Sequence, residues 1–212
     1  MQATKAFALL LAVLLGIAVD ASAAEQRRNA FTVYGGYRGG GNFTDATSGS
    51  SLPLDGAGSW AASFELGLDA GSQMQVFVSR QDTHVDTQGA TQVTATPLPA
   101  KFRLVVTYVH IGGTLYLDKK IGEGLYALGG IGATLFEPDL EGSSNTVRAS
   151  LSLGFGYQWP ISSRLGLRFE ARGYATLVDS NSALFCSGGC AVSIKGNTLS
   201  QGEVLLGLAY RF

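Results

Sequence analysis

The obvious acid-base candidates in this 212-residue chain are its two histidines, so proton-transfer chemistry has to be tested on them first. His84 lies in QDTHVD, beside Asp82 and Asp86, a grouping that could share a proton but more simply describes a solvated loop side chain. His110 lies in TYVHIGG on a strand face and reads as a packing or interfacial residue. CSGGC offers a different chemistry. Cys186 and Cys190 are the only cysteines, and in a secreted chain two cysteines most simply form a disulfide, here across a tight turn of Ser187, Gly188 and Gly189. Free thiols are the alternative; a metal site would need more ligands, and no histidine is near. No catalytic constellation, cofactor or metal is expected.

A third set is ionic and takes its meaning from the strands that carry it. Period-two alternation recurs in eight segments, near 30–39, 58–69, 72–83, 101–117, 124–136, 146–159, 164–178 and 199–212. Most exceed the ~9–11 residues needed to cross a bilayer at a tilt. Short connections at 69–72, 118–124 and 160–163 alternate with long polar ones at 40–57, 84–100, 137–145 and 179–198. The pattern predicts an all-β, eight-stranded antiparallel up-and-down barrel spanning a membrane, with tight turns at one end and long loops outside. The fourth segment alternates poorly, and its register suggests a bulge near Gly112 and Gly113.

Composition fits a membrane better than a soluble barrel. Charged residues make up 15% of the chain, too few to coat a soluble protein of this size, and the polar strand faces are mostly Gly, Ser and Ala. A formal charge of −1 gives no field for nucleic acid, so no nucleic-acid partner is expected. The opening MQATKAFALLLAVLLGIAVDASAA reads as a signal peptide over residues 1–23, cleaved after Ala23 or Ala24, which leaves a barrel domain over 24–212. Its apolar run of about 14 residues is short for a spanning helix.

Outward faces then carry the apolar residues, with Phe31, Trp60, Tyr116 and Trp159 forming an aromatic girdle at the lipid headgroups. Inward faces carry Tyr34 and a charge network of Arg38, Glu65, Arg103, Arg148, Arg168, Glu170, Arg172, Glu203 and Arg211. An eight-stranded lumen is filled by side chains, so these charges need one another and leave no open channel. Arg38, Arg103 and Arg148 approach the external end with Glu203 as their evident acid, and surplus arginine there could meet lipopolysaccharide phosphates.

The signal peptide, the alternating strands and the closing LGLAYRF together resemble the small outer-membrane barrels of Gram-negative bacteria, the OmpA/OmpX-like superfamily. The resemblance implies that Leu206, Leu208, Tyr210 and Phe212 are the signal read by the barrel assembly machinery. It implies a cell outer-membrane location with lipid and lipopolysaccharide as surroundings. Two lipid A enzymes share the architecture, and their patterns are missing. The deacylase carries histidine and serine two residues apart on one strand, whereas His110 is followed by Ile-Gly and His84 by Val-Asp. The palmitoyltransferase has a histidine in the first external loop, and residues 40–57 have none. The expected function is therefore non-enzymatic: envelope integrity, adhesion or lipopolysaccharide interaction through external loops that suit a host or cell-surface ligand. The alternative is a lipid A deacylase or acyltransferase of unfamiliar pattern.

Overall fold

The computed structural model describes residues 29–44, 49–88, 99–140, 143–178 and 198–212. Eight strands close into a barrel: β1 (Ala30–Gly39), β4 (Ala57–Gly67), β5 (Ser72–Asp86), β6 (Lys101–Tyr116), β7 (Gly124–Pro138), β8 (Thr146–Pro160), β9 (Leu165–Leu177) and β10 (Thr198–Arg211). Each pairs antiparallel with its chain neighbour, and the seam is β1 against β10, where Ala30 opposes Arg211 and Gly39 opposes Gly202. Closure leaves no strand edge at the seam, the condition for a sheet to sit in lipid. Two short strands, β2 (Asn42–Thr44) and β3 (Ser51–Pro53), form a separate hairpin within the first long connection. That connection reads as loop from sequence because each strand is only three residues long.

Alternation is inside out relative to a soluble protein. On β10, Val204, Leu206, Leu208 and Tyr210 are exposed, while Gln201, Glu203, Leu205 and Ala209 are buried. Ile131 is 73% exposed and Leu153 67%, values that only a hydrocarbon surround makes favourable in such numbers. Phe31, Trp60 and Trp159 also lie on the outer surface. Tyr116 does not: it is buried in the lumen, where its hydroxyl donates to Gln158, so it leaves the expected girdle.

The expected bulge in β6 is absent. Ladders to β5 and β7 run in register through Gly112 and Gly113, which oppose Gly130 and Gly129. Four glycines face one another there, with no extra residue on either strand. A Cβ on Gly112 would stand 1.9 Å from the Gly129 carbonyl oxygen, so no side chain fits there. Turns at the short end are built locally. Asp69 accepts from the amides of Gly71 and Ser72 at 2.8 and 2.9 Å, and Ser162 accepts from the amide of Leu165 at 3.0 Å.

Candidate functional site

Among the described residues, the buried charges are three arginines and three glutamates: Arg38, Arg168, Arg172, Glu65, Glu170 and Glu203. These six charges sum to zero, and they form two layers. Toward the short turns, Arg168 donates to Glu65 at 2.7 Å and lies 3.5 Å from Glu170. Arg172 donates to Glu170 at 2.8 Å and to Gln75 at 2.8 Å. The Tyr34 and Tyr126 hydroxyls both donate to Glu170 at 2.8 Å, and Ser63 and Gln75 both donate to Glu65. Every carboxylate here is held by several donors, which is what keeps a charge tolerable away from water.

The second layer lies nearer the long loops. Arg38 donates to Glu203 at 3.1 Å and also to Ser79, while Tyr174 and Ser79 donate to Glu203. The Arg38 guanidinium lies 4.7 Å from the Tyr108 ring and 5.3 Å from the Tyr174 ring, and those rings stack at 4.1 Å. His110 sits between the layers. Its Nδ1 pairs with Ser152 at 2.9 Å and its Nε2 with Ser150 at 2.8 Å. The serines come from β8, two strands away, across the glycines of β7, so no local sequence pattern announces them. Both ring nitrogens are taken by hydroxyls, which leaves none for the carboxylate that orients a catalytic histidine. With the ring 1% exposed, the pair is also closed to a lipid substrate.

Three arginines expected in the lumen network are not among its fully buried charges. Arg103 projects outward and pairs with Asp82 through its Nε at 2.8 Å, both side chains about half exposed. Its parity places it opposite Phe102, Leu104 and Val106, which face the lumen instead of lipid. Arg148 has the inward parity of Ser150 and Ser152, but its Nε meets no described partner and no described carboxylate pairs with it. Arg211 closes the short-turn mouth, donating to the carbonyls of Ile121 at 3.4 Å and Ser162 at 3.1 Å. Gly122, with φ of 92°, is needed there twice over, since a Cβ would meet Arg211 at 2.1 Å. His84 is outward and exposed beside Asp82 and Asp86. Cys186 and Cys190 lie outside the described residues, as does the expected signal peptide.

An ion pair in water contributes little, whereas one sealed in the lumen leaves a stranded partner when broken. Arg103→Gln is therefore expected to leave the unfolding temperature in detergent unchanged, and removal of a lumen arginine to lower it.

The outer wall above the apolar band is also ionic. Arg80 donates to Glu137 at 2.9 Å, Lys101 to Asp55 at 2.9 Å, and Arg103 to Asp82. With the exposed Tyr37 and Trp60 nearby on β1 and β4, this makes a charged and aromatic rim on the long-loop side.

Residues 9–212 match the family described as outer membrane protein beta-barrel domain. A search of curated protein sequences found no match. Among solved structures, the chain is similar to the attachment invasion locus protein Ail of Yersinia pestis, solved in complex with the heparin analogue sucrose octasulfate. Identity is 16% and the TM-score 0.44, over 87% of this chain and 99% of Ail. It is similar to Neisserial surface protein A at 14% identity and a TM-score of 0.48, over 87% and 97% of the two chains. It is similar to OprG of Pseudomonas aeruginosa at 11% identity and a TM-score of 0.49, over 88% and 97%.

Proposed function

The chain belongs to the outer membrane protein beta-barrel domain family, and from that premise we propose that it is a non-enzymatic surface protein of the outer membrane whose long loops make its contacts. The observation that supports this reading is the lumen, which among the described residues is occupied by two layers of paired charge, with His110 and its serine partners buried. Function then falls to the external loops and the rim beneath them. Arg80, Lys101 and Arg103 point outward there, where lipopolysaccharide phosphates lie, so interaction with that lipid is part of the proposal alongside adhesion and envelope integrity.

The test compares adhesion and serum survival of cells carrying the full protein, no protein, or a form trimmed in the loops. The reading expects the trimmed form to behave as the null; equal behaviour of trimmed and full forms would deny the loops a role. Lipid A from the same cells is analysed by mass spectrometry. An acyl pattern that depends on the protein would favour a lipid A-modifying enzyme instead. We also retain the signal peptide over 1–23, the barrel assembly signal ending at Phe212, and a Cys186–Cys190 disulfide as part of this proposal. The disulfide requires that the mature protein react with a thiol reagent only after reduction.

A further inference from the structure

On the outer wall at the long-loop side, β1 and β4 place two rings and two glycines in a chequered square. Tyr37 opposes Gly58 and Trp60 opposes Gly35, and all four face outward. Tyr37 is 56% exposed and Trp60 55%. Neither glycine is needed for its backbone, since neither has a positive φ. Neither is forced by crowding: a Cβ on Gly35 would meet nothing within 4 Å, and one on Gly58 only the Gly36 carbonyl oxygen at 4.0 Å. The floor between the rings is therefore bare backbone. A third glycine seats the ring of Tyr37, because a Cβ on Gly56 would stand 2.3 Å from the Tyr37 hydroxyl oxygen and 2.9 Å from its Cζ. A girdle of amphipathic aromatics explains two rings at the headgroup level, but not the glycines that keep the space between them open. Arg80 of β5 stands directly opposite Trp60 in the ladder. Its Nη1 makes both of its contacts, to Glu137 at 2.9 Å and to Thr107 at 3.3 Å, which leaves Nε and Nη2 without a partner among the described residues. On the short-turn side of this row the same outward faces carry Val33, Ala62, Phe64 and Val78, and beyond Arg80 come Asp82 and His84. Tyr37, Trp60 and Arg80 thus mark the boundary between acyl chains and polar headgroups.

We propose that this square is a binding site for the phosphorylated sugar headgroup of the surrounding lipopolysaccharide, with one sugar ring over the bare backbone between Tyr37 and Trp60 and a phosphate received by Arg80. Diagonal partners across a ladder stand about 7–8 Å apart, roughly two van der Waals contacts, which is room for one sugar ring between them. The aromatic faces are negative and the ring hydrogens of a sugar partly positive, so the two attract. The free Nε and Nη2 of Arg80 lie on adjacent nitrogens of one planar fork, the arrangement that receives two phosphate oxygens together. The site rests on the lipopolysaccharide contact proposed above and specifies where on the wall that contact is made, apart from what the loops meet.

The test uses the mature protein in detergent with Trp159→Phe, so that Trp60 alone reports. It is titrated with bisphosphorylated lipid A, with the same lipid A stripped of phosphate, and with phosphatidylglycerol, which has a phosphate and no sugar. The proposal expects a saturable change in Trp60 emission with bisphosphorylated lipid A, and affinities lower by about tenfold or more for the other two. Gly58→Val, which fills the space between the rings, and Arg80→Gln should each weaken binding by about tenfold or more while the heat-induced gel shift keeps its temperature. Co-elution of lipid A with the protein on size exclusion is measured on the same samples. Lipid A that co-elutes but binds Gly58→Val as tightly as the parent would overturn the site and leave the lipopolysaccharide contact standing, whereas lipid A that fails to co-elute would remove both. Equal affinity for phosphatidylglycerol would overturn the sugar. Should Gly58→Val fail to fold, Gly35→Val takes its place with the same outcomes.

Discussion

Glu170→Gln is expected to destabilise the barrel by about 3–5 kcal/mol, seen as a lower temperature for the heat-induced gel shift or a lower urea midpoint in vesicles. The substitution preserves volume and changes only charge and hydrogen-bonding sense. Glu170 is the shared acceptor of Arg172, Tyr34 and Tyr126, and lies 3.5 Å from Arg168. Glutamine turns one acceptor into a donor that faces other donors. It also leaves the buried set with three positive groups and two negative ones, and neither arginine can reach water, since both are almost fully buried. An unshifted transition would mean that water, and not Glu170, carries these charges.

The second large effect concerns Arg38, and a companion change should offset most of it. Arg38→Met alone removes the cation that Glu203 faces and leaves a carboxylate at 3% residue exposure, so a loss of about 3–5 kcal/mol is expected. Adding Glu203→Leu should recover most of that loss. Leu104 and Val106 on the long-loop side and Leu205 on the short-turn side all belong to the apolar cluster, so two apolar side chains have suitable neighbours, and buried ion pairs replaced by packed apolar groups are often neutral or better. Urea unfolding of wild type, both single variants and the double variant gives the coupling directly. If the double variant is as unstable as the sum of the singles, the layer is not an isolated pair.

Most of the barrel was legible because lipid imposes a strict period of two. The strand limits read from sequence lie within three residues of the observed ones, and the outward faces of β8, β9 and β10 were assigned correctly from their parity. The six buried charges were legible for the same reason, as rare ions on faces otherwise made of small, polar and aromatic residues. Parity failed on β6, where both faces are apolar. Phe102, Leu104 and Val106 face the lumen while Val109 and Ile111 lie on the opposite, outer face, so hydrophobicity could not say which side was lipid. Arg103 and Tyr116 were misplaced by that ambiguity, and the glycine pairs at 112 and 113 were misread as a bulge for lack of a partner strand to register them. The β2–β3 hairpin was missed because Phe43, Leu52 and Leu54 stand alone in a Ser, Thr and Gly tract; their signal was the isolation of large apolar residues in a polar loop. His110 and its serines could not be found from spacing, since contact across two strands depends on shear and not on sequence distance.

The central claim is that oily side chains face lipid while the ions are sealed inside, and the two tryptophans report on it most directly. Trp60 is 55% exposed and Trp159 is 48% exposed, both on the outer wall and toward opposite ends of the barrel. The protein is refolded into vesicles of phosphatidylcholine with brominated acyl chains, and its tryptophan emission is compared with that in unbrominated lipid. Strong quenching of both tryptophans, each isolated by Trp→Phe at the other, is the predicted result. Emission that ignores the bromines and is quenched instead by aqueous acrylamide would contradict the inside-out arrangement.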